Sequence, residues 1–427
     1  MIGIVVSRAD EASVSIGSQL RTLADWTEVA DGVYRRGDLE LREFEELHLE
    51  LDEVATAFDD PEYVVVASKH SGETGPLLSA HFTGNFGAAE YGGSPRELVE
   101  TAPGALKHVI QALAEDPPEE YEVSMECTHH GPTDLGAPGM FVELGSGPEQ
   151  WEDEVGARAV AKAILSLDGV EPGADRTVVA FGGNHYAPQP TRLLLETDVA
   201  VGHVAADWSI EELGDPEAQR DLLAEMFERS GTDMAVVDGE WPAVEAAVDS
   251  LGSRIVSETW LRETSGVDQA LIESIEETLG SIGDGVRVGT QRAEDHERVE
   301  LPGDLVDACA AVDPERTVDA VHEHALAYRT AENGNRVGDT ALVPEEGYDA
   351  LIDALVAVLE REYASVDRED GAVVAEREVF DPALALDRGV PEGPLFGQLA
   401  AGETVTVDGE TVTPDAVHVR ETTRFDV

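Results

Sequence analysis

The chain has 427 residues, 42% of them hydrophobic, with 89 acidic and 28 basic side chains and a formal net charge of -61. That length carries two or three domains and a substantial core, and the hydrophobic share excludes a disordered chain. No apolar run approaches the roughly 20 residues that a membrane helix needs, so no membrane partner is expected.

The lysines are Lys69, Lys107 and Lys162, leaving 25 arginines (28 minus 3). Acid enrichment with lysine depletion runs along the whole chain, the composition of a halophilic protein. Self-repulsion at that charge is screened when about 1 M salt cuts the Debye length to roughly 3 Å. Dialysis to low salt is expected to cost structure, and an unchanged melting curve there would exclude the halophile reading.

Met1-Ile2-Gly3-Ile4-Val5-Val6 has no basic flank and turns polar at Ser7-Arg8. It reads as a first strand rather than a signal peptide, which argues for a cytoplasmic protein. Residues 12–23 are predicted helical through Ile16, Leu20 and Leu23. Residues 31–38 read as a polar turn, and strand competes with helix over 39–51. Residues 62–67, β-branched, read as a buried strand ending at Ser68-Lys69-His70-Ser71-Gly72. Residues 76–80 form a second run, ending at His81-Phe82-Thr83-Gly84-Asn85-Phe86-Gly87. A helix is predicted over 95–114.

Tyr121-Glu122-Val123-Ser124-Met125 alternates with period two, the mark of a half-buried strand. It delivers Glu126-Cys127-Thr128-His129-His130-Gly131-Pro132, where Gly131 and Pro132 stop the strand. Residues 150–167 are a further amphipathic helix. Residues 176–181 are a strand ending at Gly182-Gly183-Asn184-His185-Tyr186-Ala187-Pro188, and 197–201 lead into Gly202-His203. Helices follow over 217–227, 242–250 and 269–279, with strands over 233–237 and 254–259.

Strands alternating with helices imply an α/β fold, a three-layer arrangement of a mixed or mostly parallel sheet flanked by helices. Residues 1–290 are the expected catalytic core. The charged, apolar-poor stretch 291–300 reads as an acidic linker. Residues 301–427 form an expected C-terminal α+β extension, with a helix over 348–363, a strand over 372–379 and a hairpin turning on Asp408-Gly409.

Of the 12 histidines, His70, His81, His129, His130, His185 and His203 each follow a predicted strand by a few residues. Strand ends of an open α/β sheet lie side by side, so these rings are expected to converge on one rim. Imidazole and carboxylate suit zinc, which takes three protein ligands plus water at catalytic sites and lowers the pKa of that water toward about 7. His129 and His130 point apart if the chain is extended, so one as ligand and the other as proton donor is as consistent as both on one metal. Glu126, if buried without a partner, would have a raised pKa and serve as a general base. Cys127 is a candidate nucleophile, but a small buried strand residue is the favoured reading. His48 and His108 fall on predicted helices and read as ordinary surface or core residues. Gly84-Asn85 and Gly182-Gly183 offer backbone N–H groups to an oxyanion. No phosphate loop, dinucleotide fingerprint or G-x-S-x-G elbow is present. The residues alone therefore describe a metal-dependent hydrolase.

The segments around His70, His81, Glu126–His130 and His185 together resemble the archaeal and plant family of zinc-dependent D-aminoacyl-tRNA deacylases, in order and spacing, over about residues 1–290. Phe141-Val142-Glu143-Leu144-Gly145-Ser146, Trp151 and Gly202-His203 add to the likeness. The resemblance implies hydrolysis of the ester joining a D-amino acid to the tRNA 3′ end, with one or two zinc ions per chain. It implies a fold similar to peptidyl-tRNA hydrolases and nucleoside phosphorylases. On this reading Glu126, His129 and His130 are catalytic. His81, His129, His185, Glu126 and His203 are metal ligands. His70, Lys69, Gly84, Asn85, Gly183 and Tyr186 bind substrate. The partner is the tRNA acceptor end carrying a D-amino acid, met by a monomer, with Arg35, Arg36, Arg192 and Lys69 as candidate phosphate contacts. The alternatives are a zinc peptidase or amidase acting on small substrates, and a tRNA-binding factor without catalysis.

Overall fold

The computed structural model describes residues 1–427, which divide into two compact units, Met1–Gly266 and Val267–Val427. The first unit carries an eight-stranded sheet and a four-stranded sheet. Its strands are β1 (Ile2–Ser7), β2 (Thr27–Ala30), β3 (Val33–Arg36), β4 (Leu39–Phe44), β5 (Tyr63–Lys69), β6 (Leu77–His81), β7 (Gly84–Asn85), β8 (Glu97–Leu98), β9 (Glu122–Met125), β10 (Gly139–Gly145), β11 (Thr177–Gly182), β12 (Ala200–Ala205), β13 (Met234–Asp238) and β14 (Arg254–Ile255).

The large sheet runs β2-β3-β4-β1-β5-β10-β6-β9 and is mixed: β1, β4, β5 and β10 are parallel, while β6 is antiparallel to β10. The smaller sheet, β12-β11-β13-β14, is parallel throughout. Helices Glu11–Leu23, Pro103–Glu115 and Glu154–Leu165 pack on the large sheet. Each is amphipathic, and two start at an aspartate cap: Asp10 accepts from the Ser13 N–H and Asp153 from those of Val155 and Gly156. No helix is long and apolar enough to cross a membrane.

Several expectations change. The helix predicted over 95–114 begins only at Pro103, which suits a first helical turn because its missing N–H would be unpaired there anyway. Leu98, assigned to that helix, lies in β8. β10 was not foreseen as a strand. Residues 254–259 are a two-residue strand followed by the helix Glu258–Glu263. The polar turn over 31–38 contains β3.

In the second unit, the charged stretch 291–300 is no linker. His296–Glu300 pairs with Arg336–Pro344 as an edge strand of a four-stranded sheet, and the compact core ends at Gly266 rather than near 290. An edge strand can stay largely solvated, and none of its five residues is buried, so a charged composition did not exclude it. The helix Tyr348–Leu359, the strand Ala372–Phe380 and the hairpin of Val405–Val407 with Glu410–Val412 match the expectations, with Asp408 and Gly409 both at positive φ.

Candidate active site

Strand parity builds the site on a sheet face rather than along a rim of strand ends. Across β5, β10, β6 and β9, Ser68, Glu143, Ser79 and Ser124 lie directly opposite one another in register. Two residues on, along their own strands, His70, His81 and Glu126 fall on the same face. The other parity of β10, with Met140, Val142 and Leu144, is apolar and buried. A polar layer thus occupies one face of a sheet whose opposite face packs against helices.

The motif at 126–130 is stitched to the smaller sheet. The Cys127 N–H donates to the His185 carbonyl, and the Thr128 N–H to the Val204 carbonyl, each at 2.8 Å. This brings His185, from the loop after β11, over the polar layer. Its Nε2 lies 2.8 Å from Glu126 Oε2.

His129 and His130 both turn toward the cluster because His130 has φ +44°, which breaks the alternation of an extended chain. The ring centroids of His81 and His129 are 4.3 Å apart, those of His129 and His130 4.5 Å, and those of His81 and His130 4.8 Å. In each of the three, Nδ1 faces a backbone carbonyl: Phe82 for His81 at 3.1 Å, Cys127 for His129 at 2.8 Å, Gly131 for His130 at 2.7 Å. A carbonyl can only accept, so Nδ1 carries a proton in each, and Nε2 is the nitrogen left to face the cluster. Burial, reinforced by the neighbouring rings of His81 and His130, holds His129 well below its usual range; burial and His81 push His130 down to about 3. Both are neutral imidazoles.

The carboxylates are anionic. Burial alone would raise Glu126, but the hydrogen bond from His185 and the His70 ring 3.2 Å away outweigh it and hold it well below the usual range. This corrects the expectation of a raised pKa: Glu126 is fully buried but not unpaired. Glu143 behaves likewise, held down by His70 and His81 against burial. His70, despite burial, is raised to about 10 by Glu126 and Glu143, whose oxygens lie 3.2 and 3.6 Å from its Nδ1. Burial opposes protonation of His81 too, yet Glu143 raises it.

Three donor groups are close enough to hold a metal ion: His81, His129 and His130; Cys127, His129 and His185; and His70, Glu126 and His185. The donor atoms in each lie within 4.8 Å of one another. His81 Nε2, Glu126 Oε1, Ser79 Oγ and Ser124 Oγ are buried without a hydrogen-bond partner, a concentration of unmet polar groups that a cation would satisfy. The residues therefore fit zinc.

Above the cluster opens a cavity of about 580 Å³, within the size range of small-molecule sites. His70, His129, His130, His185 and Glu143 line it, with Lys69, Gly84, Asn85, Tyr91 and Trp208. Leu47, His48 and Leu49 form another part of the wall.

Not every expected residue is there. His203 lies inside β12 rather than beyond its end. Its Nε2 donates to the Val99 carbonyl at 2.9 Å and its Nδ1 meets the Thr128 hydroxyl at 2.9 Å, so no lone pair is left for a metal. It braces the motif from beneath. Gly183 and Tyr186 are absent from the cavity lining, although the Tyr186 hydroxyl lies 3.4 Å from His70 Nε2. The Gly84 N–H donates to the His130 carbonyl and is not available to an oxyanion. Cys127 remains a thiol, because burial and then Glu126 push its pKa up. Arg35, Arg36, Arg192 and Lys69 are paired with Glu40, Asp168, Glu258 and Glu11, respectively.

Two residues escaped sequence reasoning. Glu143 was visible as a lone carboxylate inside the apolar run of residues 140–144, and such a group is rarely buried unless paired. His48, on a short 3-10 turn, had no such signal.

A sequence model of the family described as D-aminoacyl-tRNA deacylase matches residues 57–256. A relative named D-aminoacyl-tRNA deacylase from Natronomonas pharaonis is 52% identical, covering 100% of both chains. One of the same name from Halobacterium salinarum is 51% identical over 100% of this chain and 95% of its own. Another, from Methanoregula boonei, is 33% identical over 86% of each. Among solved structures, a conserved protein of unknown function is 29% identical with a TM-score of 0.57, covering 62% of this chain and 98% of that one.

Proposed function

Since the chain belongs to the D-aminoacyl-tRNA deacylase family, we propose that it hydrolyses the ester joining a D-amino acid to the 3′ end of tRNA, releasing both. The observation that carries the chemical part of this reading is the shared orientation of His81, His129 and His130. Three rings, each with Nδ1 committed to a carbonyl, turn Nε2 to one place; on His129 and His130 it is a lone pair, and on His81 a metal would displace the proton that Glu143 favours. Zinc bound there supplies a water of lowered pKa and polarises a carbonyl oxygen.

The remaining roles belong to the chain's own side chains. Glu126 is an acceptor only, so His185 donates Nε2–H to it and keeps its lone pair on Nδ1, which faces the Cys127 thiol at 3.5 Å. Turned from that weak thiol contact to the attacking water, Nδ1 takes a proton, and the buried Glu126 anion stabilises the imidazolium that results. The same proton then passes to the departing 3′ hydroxyl. His185 suits this role because its side chain remains 29% exposed at the cavity while its partner is sealed. His70, cationic between Glu126 and Glu143, keeps both carboxylates oriented and adds positive charge to the cavity wall. Cys127 stays protonated and takes no nucleophilic part.

The experiment is a direct one. Purified protein in molar salt should release D-tyrosine from D-tyrosyl-tRNA and leave L-tyrosyl-tRNA intact; equal turnover of both, or turnover of small N-acyl amino acids alone, would refute the assignment.

A further inference from the structure

Tyr91 is 68% exposed and Trp208 38% exposed, and both line the cavity that holds the histidines. A large exposed aromatic side chain is ordinarily unremarkable when isolated, but this pair is built into the wall of one cavity. The loop carrying Tyr91 is held firmly. Its carbonyl accepts from the Gly131 N–H at 2.9 Å, and the Asn85 amide donates to the carbonyls of Gly92 and Ser94 at 3.0 and 3.1 Å. Gly131 packs so closely on the loop that a Cβ there would stand 2.2 Å from the Gly93 nitrogen. The loop is thereby pressed onto the His129-His130 motif with no side chain between. Trp208 approaches from the other direction, its side chain beside Cys127. The Tyr91 backbone and the Trp208 side chain thus both adjoin the segment 127–131.

Charge indicates what they are for. Lys69 and the His70 imidazolium are the cations of the cavity lining, and both are already engaged: Lys69 Nζ is 3.2 Å from Glu11 and 4.8 Å above the Trp151 ring, and His70 is held between Glu126 and Glu143. Glu90 and Glu212 also line the cavity. Phosphate contacts weaken steeply with salt, so a chain of this charge working in molar salt gains little from them. Stacking of a base on an aromatic face needs no ionic contact. A substrate whose ester lies at the histidines has its ribose attached directly to that ester, and the terminal base is then within reach of the cavity mouth.

We propose that Tyr91 and Trp208 form an aromatic platform that binds the purine ring of the substrate's 3′-terminal nucleoside. This rests on the deacylase reading and adds a base-binding subsite to it.

The test compares D-tyrosyl-tRNA with D-tyrosine ethyl ester, which has no nucleobase. The ratio of kcat/KM for the first to kcat/KM for the second is expected to fall roughly tenfold to a hundredfold in Tyr91→Ala and in Trp208→Ala. The loss should appear in KM, and Tyr91→Phe should restore the ratio. An unchanged ratio, with both substrates losing equally, would seat the amino-acid side chain on these rings and overturn the proposal. Calorimetry with free adenosine in molar salt gives a readout that needs no turnover. Binding to the wild type that is lost in Tyr91→Ala supports the platform even where D-aminoacyl-tRNA is not hydrolysed, so the two readings fail separately. No adenosine binding to the wild type, or undiminished binding in Tyr91→Ala, would overturn it.

Discussion

The β3–β4 side of the large sheet and the cavity floor each bury a glutamate completely, Glu40 in the first and Glu126 in the second. They are neutralised in different ways. Glu40 receives Arg35 Nε at 2.5 Å and Arg42 Nε at 2.6 Å, two guanidinium groups that are always charged and have no lone pair to offer. Glu126 faces His185, His70 and His129, whose nitrogens give, hold or accept a proton. The Glu40 oxygens both accept guanidinium hydrogen bonds, whereas Glu126 Oε1 has the His70 ring 3.2 Å away without a formed hydrogen bond. A buried carboxylate satisfied by arginine is a structural pair. One surrounded by imidazoles with unmet atoms is prepared for a ligand.

That contrast can be broken at several strengths. Removing metal with a chelator should reduce deacylation to background and zinc should restore it, while the Glu40 side of the sheet is left intact by circular dichroism; full activity in metal-free protein would end the zinc assignment. His185→Ala should lower kcat by roughly 10² to 10⁴, the usual span for a group that moves a proton, with the far-UV spectrum unchanged. A loss of less than about tenfold would mean that the proton travels elsewhere. Exchanging the two carboxylates for amides sharpens the comparison. Glu126→Gln should cost roughly 10²-fold or more in kcat with little change in melting temperature, whereas Glu40→Gln should cost about 2 kcal/mol of stability and spare kcat. The reverse pattern would show that Glu126 is merely structural. His203→Gln carries the smallest expected effect. It should cost about 1–2 kcal/mol by unpairing Thr128 or Val99 and should not alter metal content by atomic absorption; a metal-free variant would return His203 to the ligand set.

Much of the site is legible in the sequence. His70, His81, His129, His130 and His185 stood out because each sits just where a period-two or β-branched run ends, and a strand end positions whatever follows it. The carboxylate in Glu126-Cys127-Thr128-His129-His130 was identified for the same reason. What misled was the assumption of a single rim. Parity along β5, β6 and β9 places His70, His81 and Glu126 on one face, and a face can be counted only when the register between strands is known. His203 failed because the strand expected over 197–201 runs on to Ala205 and contains it. Glu143 failed because β10 was missed, even though an acid within Phe141-Val142-Glu143-Leu144 was itself the clue.

The amino-acid sequence by itself determined the local alternation of strands and helices, the acidic surface, and the residue types available for hydrolysis. These depend on side-chain period, composition and turn chemistry, all of which act over a few residues. Tertiary structure decided which imidazoles meet, which nitrogen of each ring keeps its lone pair, and that Glu126 is anionic rather than poised as a base. Those outcomes depend on long-range partners: the Phe141–His81 register, the His185 carbonyl above Cys127, and the rings that close on a buried carboxylate. Hydrogen bonding and desolvation are set by what lies across the fold, and no local pattern in the chain encodes that.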